Sequence, residues 1–187
     1  MYIWLTGILL FAAFAFFAFA QAASARNGAQ SAADAAALAA AQSARDELVK
    51  GLGDGVVGGD ADWLDWLDPE ELEGGEAAAA AAALAAENDA AVTEFGGATV
   101  AGYPGYAVDI QTNFTVGESI IPGTETKHAN AHATAVIEPR CDVPVDADPT
   151  KLVTLDCDGE LVDIDPEDFD LDDLPDASVL FSVQLAE

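Results

Sequence analysis

The sequence predicts an α+β fold, in which a long N-terminal helix and an additional alanine-rich helix pack on an antiparallel β-sheet. Two observations predict the helices: an apolar run over residues 2–20 continues into a strongly helix-favouring mixture over 21–50, and residues 76–94 are again rich in alanine. A third predicts the sheet, because apolar and polar residues alternate from Ala98 onward. Helices followed by a run of strands are typical of an α+β domain.

The first part of the long helix is apolar enough to enter a membrane. Between Tyr2 and Ala20 only Thr6 and Gly7 depart from aliphatic, alanine or aromatic character, and no residue is charged. About 20 apolar helical residues span the hydrocarbon core of a bilayer. We expect this segment to lie in a membrane or in the core of an assembly. The side chains expected to make the contacts are those of Trp4, Leu5, Leu9, Phe11, Phe14, Phe16, Phe17 and Phe19.

A secretory signal peptide that is removed on export is the alternative interpretation of this segment. Residues 18–20 and 23–25 both resemble a small-residue cleavage site. No Lys or Arg precedes the apolar run, whereas a basic region is part of the usual signal. The retained helix is therefore the favoured prediction.

The helix is expected to continue well beyond the apolar segment. Ala is the commonest residue over 24–50, and only Gly28 interrupts their helix-favouring composition. A continuous helix over residues 1–50 would be roughly 75 Å long. Alanines at three- and four-residue spacing, such as Ala25 and Ala29, would let a helix or a sheet approach closely. A solvated alanine-rich helix is the alternative.

The predicted organisation has three parts. Residues 1–50 form the long helix, apolar over 1–23 and alanine-rich over 24–50. Residues 51–60 contain five glycines and are expected to end the helix as a flexible linker. Residues 61–187 are then expected to form an acidic extracellular α+β domain.

Within this domain, the helix over 76–94 is bounded by Gly74-Gly75 and Gly96-Gly97. Trp63, Leu64, Trp66 and Leu67 would share one side of a short helical turn, buried in the protein's own core or against a neighbouring subunit. The predicted strands are Thr99–Gly102, Ala107–Val116, His128–Glu138, Lys151–Leu155, Glu160–Ile164 and Ser178–Leu185.

The charge balance excludes some partners. The chain has 6 Lys and Arg against 34 Asp and Glu, a net charge of -28. Nucleic acid and anionic lipid both favour basic patches, so neither is an expected partner. An acidic surface keeps a secreted assembly soluble and also suits a high-salt environment, and composition is consistent with both.

The two cysteines, Cys141 and Cys157, both fall in the predicted extracellular domain. An exported compartment permits a disulfide. Bridging the pair would close a loop of about 17 residues, for which chain entropy predicts roughly 3 kcal/mol of stabilisation. We therefore predict a Cys141–Cys157 disulfide, with two separate reduced thiols as the alternative.

The acidic stretch after residue 155 offers weak calcium candidates in Asp156, Asp158 and Asp163. No full twelve-residue calcium loop is present, so a solvated charged loop is the favoured interpretation. His128 and His132 lack a third ligand at a recognisable spacing, and we predict two exposed strand histidines. No cofactor is expected.

Motifs for catalysis are missing from the sequence. It contains no nucleophile elbow, no Gly-rich phosphate loop and no credible Cys/His pair. We therefore do not expect an enzyme.

Two segments resemble a known family. Residues 26–41, with the sequence RNGAQSAADAAALAAA, resemble the alanine-rich signature of the TadE/TadG-like Flp pilus-assembly proteins, which are type IV pilin-like, and especially the actinobacterial ones. Residues 133–141, ATAVIEPRC, are similar to a later stretch of that group. The resemblance implies a pilin-like protein that is inserted with its C-terminal domain outside and then built into or onto a surface filament.

Two functions follow from these features. The first is a structural subunit of an extracellular type IV pilus-like filament. Its partners would be copies of itself, the inner-membrane pilus assembly machinery and, before assembly, the membrane. The second is a membrane-tethered monomeric cell-envelope binding protein that uses the helix only as an anchor. A helix that continues past the membrane favours the first, and Leu5, at a position where type IV pilins carry glutamate, favours the second.

Overall fold

The computed structural model describes residues 2–70, 72, 75–115 and 126–186 of the chain. These residues form one long helix, several shorter helices and two antiparallel sheets. The predicted α+β class is confirmed. In chain order the elements are α1 (Tyr2–Gly58), a 3-10 helix (Trp63–Leu67), α2 (Gly75–Glu87), β1 (Ala90–Val100), β2 (Tyr103–Thr115), β3 (His128–Pro139), β4 (Cys141–Asp142), β5 (Val153–Cys157), β6 (Glu160–Ile164), a second 3-10 helix (Leu171–Asp173), α3 (Ala177–Leu180) and β7 (Phe181–Ala186).

Helix α1 has 57 residues and is therefore roughly 85 Å long. From Ala25 onward its small residues pack against α2 and against β2, β3 and β7. Alanine allows this because it keeps the neighbouring backbones close. The alternative of a solvated alanine-rich helix is wrong. The buried residues of α1 are Ala25, Ala29, Ala32, Ala33, Ala36, Ala37, Ala40, Ala41, Ala44, Leu48, Leu52, Gly53 and Val56.

The C-terminal part of α1 corrects the predicted linker. The helix continues to Gly58, so the predicted helix end at residue 50 and the flexible linker over 51–60 are wrong. Leu48, Leu52 and Val56 follow one another at four-residue spacing and are all buried. Each buried side chain contributes about 1.5–3 kcal/mol, which outweighs the roughly 1 kcal/mol that each helical glycine costs relative to alanine.

Two glycines of this stretch are sites of close packing. A Cβ atom at Gly51 would lie 2.5 Å from the ring of Trp66, and one at Gly53 would lie 2.8 Å from the side chain of Leu171. The glycines therefore let distant segments rest directly on the helix backbone.

Helix α2 ends earlier than predicted. It stops at Glu87, whereas the predicted helix ran to residue 94. The side chain of Asn88 donates a hydrogen bond to the carbonyl of Leu84 (2.8 Å), and Asp89 has a φ of 53°. A left-handed residue at this position ends a helix. The predicted start signal at Gly74 lies outside the described residues.

The main sheet has the strand order β1-β2-β3-β7 and is antiparallel throughout. In β3, Ala133, Ala135 and Ile137 are buried and this face packs on α1, while His128 and His132 are exposed on the other face. The predicted alternation in this strand is confirmed. On the exposed face Val136 is the exception, being 3% exposed.

The β1–β2 connection corrects the first two predicted strands. Ala101 and Gly102 have φ of 54° and 93° and form a two-residue turn, so the predicted strand Thr99–Gly102 is wrong at its end. The predicted start of β2 at Ala107 is late, because pairing with β1 extends to Tyr103. The predicted end at Val116 lies outside the described residues.

The small sheet has the order β4-β5-β6. The predicted bounds of β6 are confirmed, and β5 lies two residues later than predicted. The predicted strand over 178–185 begins only at Phe181. Before it the carboxylate of Asp176 caps the short helix α3 by accepting from the backbone N–H of Ser178 (2.8 Å).

The predicted tryptophan turn forms the first 3-10 helix. Trp63 is buried and its Nε1 donates to the carbonyl of Pro149 (2.9 Å), and Leu67 is also buried. Trp66 is 40% exposed. Burial in the protein's own core is thus confirmed for Trp63 and Leu67, while Trp66 lies at the surface over α1.

Candidate functional site: the exposed half of the long helix

The first part of α1 extends away from the domain with its apolar side chains exposed. The sequence-predicted assembly residues Trp4, Leu5, Leu9, Phe11, Phe14, Phe16, Phe17 and Phe19 are all exposed, from 59% for Phe14 to 81% for Trp4. They surround the helix instead of lining one side of it. An apolar surface of this extent marks a contact with a membrane or another protein.

The same segment is compatible with a bilayer. The helix is long and apolar enough to cross a membrane, judged by its length and composition. Within it the hydroxyl of Thr6 donates to the carbonyl of Tyr2 (3.0 Å), so this polar group is satisfied by the helix itself. The first charged residue along the described chain is Arg26. The uncharged stretch therefore ends where burial against the domain begins, at Ala25.

The domain holds α1 immediately after the apolar half. The side-chain amide of Gln30 donates to the carbonyl of His132 in β3 (3.2 Å) and to the carboxylate of Asp34 (2.8 Å). A Cβ atom at Gly28 would lie 3.5 Å from the ring of Phe114 at the end of β2. The exposed half and the buried half are thus one continuous helix with no break between them.

The three calcium candidates have separate partners. Asp156 accepts from the backbone N–H of Gly159 (2.7 Å), and Asp163 accepts from the hydroxyl of Thr154 (2.6 Å). Asp158 pairs with Arg140 at 2.7 Å. Across residues 2–70, 72, 75–115 and 126–186, no three His, Cys, Asp or Glu side chains are grouped to hold a metal ion. The absence of a cofactor stays a prediction.

The two histidines of β3 also have different partners. Nδ1 of His128 lies 2.7 Å from the carbonyl oxygen of Thr112, and Nδ1 of His132 lies 3.2 Å from the carboxylate of Asp109. Both histidines are exposed, as predicted from the strand alternation.

The predicted disulfide is confirmed. Cys141 and Cys157 are bonded and link β4 to β5, where the two residues are direct partners in the ladder. Cys157 is buried. The alternative of two reduced thiols is therefore wrong for this structure.

Local ion pairs and hydrogen bonds shift a few pKa values at the surface. Hydrogen bonds from Lys151 and Thr150 hold the pKa of Asp148 well below its usual range, and the same carboxylate raises the pKa of Lys151. Hydrogen bonds from Ser178 lower the pKa of Asp176. An exposed ion pair such as that of Asp148 and Lys151 contributes little to stability.

One part of the site was missed from the sequence. The same helix that begins with the apolar half continues beyond residue 50 into the centre of the domain, where Leu52 and Val56 are buried. The four-residue spacing of Leu48, Leu52 and Val56 is the signal that could have predicted this continuation.

These features define the class of protein. An exposed helix of membrane-spanning length, continuous with the core helix of an α+β domain, indicates a membrane-anchored or cell-surface protein. A family model, Tad, described as "Putative Flp pilus-assembly TadE/G-like", matches residues 2–43. The resemblance to TadE/TadG-like proteins, predicted from residues 26–41, is confirmed by this match.

The match covers less than half of the chain and none of either sheet. The predicted similarity at residues 133–141 lies outside it. Comparison with curated proteins and with solved structures gave no match.

Proposed function

We propose that the chain is a structural subunit of an extracellular type IV pilus-like filament of the Tad/Flp kind, assembled through the apolar half of α1. The continuity of α1 carries the proposal. One helix is exposed and apolar through Phe19 and becomes the buried centre of the domain from Ala25. The match of residues 2–43 to a pilus-assembly family supports it.

The exposed side chains of the apolar half must be shielded from water both before and after assembly. Before assembly, lipid would surround it, since its length fits a bilayer. After assembly, the same half from neighbouring copies would replace the lipid. Side chains such as Phe11 and Phe16, which point away from the helix on different sides, suit a position surrounded by other helices. The partners are therefore the membrane, the pilus assembly machinery of the inner membrane and copies of this chain.

The domain would coat the outside of the filament. The net charge of -28 keeps neighbouring filaments apart in water, and the Cys141–Cys157 disulfide suits an oxidising compartment. Pilus assembly is a structural role, and the proposal needs no catalytic step.

Electron microscopy of sheared surface material tests the proposal. Regular fibres containing this chain are expected. A chain that remains with membranes as a monomer would overturn the filament and support a membrane-tethered envelope protein instead.

A pair of charge substitutions tests the role of the apolar half. Phe14→Asp would bury an unpaired carboxylate between packed helices, so we expect it to abolish fibres. Asn27→Asp adds the same charge to the same helix at an exposed position in the domain half, so fibres should persist. Carbonate extraction checks that the Phe14→Asp chain stays in the membrane, because one Asp at mid-membrane costs only about 2.5–3.5 kcal/mol on insertion scales. Normal fibres from this variant would contradict packing through the apolar half.

A further inference from the structure

The two outer strands of the main sheet have edges that carry almost no charge. In the described residues β1 pairs on one side with β2, and β7 pairs on one side with β3. Glu94 is the charged residue among the 11 of β1, and the 6 residues of β7 contain none. These strands belong to a chain with 34 acidic residues.

The small sheet shows the opposite pattern. Its edge strand β6 has Glu160 and Asp163 among 5 residues, and its edge strand β4 has Asp142 as one of 2. Charged residues on an edge strand oppose pairing with another chain. Among the described residues, both edge strands of the small sheet have that protection, whereas those of the main sheet have Glu94 alone.

The hairpin geometry identifies the backbone groups of β1 that point away from β2. A two-residue turn is closed by a hydrogen-bonded pair, here Val100 and Tyr103, and hydrogen-bonded pairs then alternate along an antiparallel ladder. The N–H and C=O groups of Phe95, Gly97 and Thr99 therefore point away from β2. The irregularity in the ladder lies earlier, between Val92 and Glu94, and leaves this stretch regular.

The same reasoning identifies the backbone groups of β7 that point away from β3. The backbone N–H of Ala129 donates to the side chain of Thr112 in β2, whereas the carbonyl of His132 accepts from Gln30 on the opposite side. Even-numbered residues of β3 thus face β7, where their ladder partners are Ser182, Gln184 and Ala186. The N–H and C=O groups of Val183 and Leu185 point outward.

We propose that β1 of one copy pairs with β7 of the next, so that the main sheet continues from copy to copy. The proposal rests on the proposed function, because it supplies a second contact within the same filament. Two different edges meet, so the contact is heterologous and can repeat without closing, as a filament requires. Backbone hydrogen bonds also bring two acidic copies together without placing carboxylates opposite each other.

Proline substitutions test the pairing in the full chain. Thr99→Pro and Leu185→Pro each remove one outward N–H without removing a bond to β2 or β3. Leu161→Pro is the matched control. It removes the outward N–H of β6, because the turn at Asp158 and Gly159 closes on the hydrogen-bonded pair Cys157 and Glu160. Native mass spectrometry of the chain in detergent micelles measures association, and thermal melting checks that each variant is folded.

The wild type and Leu161→Pro should form a series of oligomers of increasing size, while Thr99→Pro and Leu185→Pro should each remain monomeric. A mixture of those two should give dimers and nothing larger, because one intact β1 and one intact β7 remain. If Thr99→Pro formed the same series of oligomers as the wild type, the proposal would be overturned. Loss with Thr99→Pro but not with Leu185→Pro would also overturn it, in favour of β1 pairing with β1.

A second variant covers the case in which proline disturbs folding. Thr99→Lys keeps the N–H and reduces the net negative charge, yet a lysine on an edge strand opposes pairing. We expect Thr99→Lys to lower the fraction of the chain that is found in oligomers, and a higher fraction would count against edge pairing. Electron microscopy distinguishes this proposal from the proposed filament. Fibres from Thr99→Pro would overturn edge pairing alone, whereas wild-type oligomers in detergent without fibres at the cell surface would overturn the filament alone.

Discussion

A Cβ atom at Gly105 would lie 2.0 Å from the carbonyl oxygen of Ala135. Gly105 pairs with Val136 in the β2–β3 ladder, so this is a contact between two strand backbones at the centre of the main sheet. We expect Gly105→Ala to destabilise the protein by at least about 2 kcal/mol, because overpacking here must separate hydrogen-bonded strands. Denaturant unfolding of the full chain in detergent measures the loss.

Gly96→Ala is the matched control for that substitution. A Cβ atom there meets nothing within 4 Å, although Gly96 also lies in a strand of the same sheet. The change in unfolding free energy should stay within about 0.5 kcal/mol. Equal losses from the two variants would show that the close approach at Gly105 is not the cause.

Reduction of the Cys141–Cys157 disulfide should destabilise the small sheet. The bond joins residues separated by 16 positions, and chain entropy predicts a loss of about 3 kcal/mol. Unfolding with and without reductant measures it, and thiol titration confirms complete reduction. The double variant Cys141→Ser/Cys157→Ser should be insensitive to reductant. A fully reduced wild type with an unchanged midpoint would contradict the prediction.

Asp176 should make stability depend on pH in one direction. Its pKa is lowered by hydrogen bonds from Ser178, so its contribution is present above the ordinary pKa of about 3.9 and is lost as the pH falls through the lowered value. Asp176→Asn should therefore melt below the wild type at pH 7, and the difference should shrink below about pH 4. Melting curves between pH 7 and pH 2 test this, and a constant difference would refute it.

Salt should stabilise the protein. A net charge of -28 opposes compaction by self-repulsion, and raising the ionic strength to about 1 M shortens the Debye length to about 3 Å. The melting temperature should rise by the same amount in NaCl and KCl, because screening does not depend on which cation is present. A flat or falling melting temperature would show that repulsion between the carboxylates has little influence on stability.

The parts of the fold that depend on short-range pattern could be predicted from the sequence. Alternation in β3 identified its buried face, and the Glu160–Ile164 strand has the predicted bounds. The apolar residues of the candidate site could also be predicted, because an uncharged apolar run is recognised in the sequence without knowledge of tertiary contacts.

The predictions that were wrong concern segments whose secondary structure depends on contacts with residues distant in the sequence. Glycines after residue 50 predict a linker locally, but Trp66 and Leu171 pack on Gly51 and Gly53 and keep that stretch helical. Similarly, the residues after Asp89 have a helix-compatible composition and become β1 only through pairing with β2. Tertiary contacts decide both cases, as they commonly override propensity.

The unbroken course of α1 has a mechanical consequence. A tensile load applied to the apolar half passes along α1 directly to the residues from Ala25 to Val56, which lie at the centre of the domain. To extract the helix, that load must shear the whole alanine face past the sheet at once, instead of peeling contacts one at a time. A protein built in this way bears such a load through its buried core instead of through a surface loop.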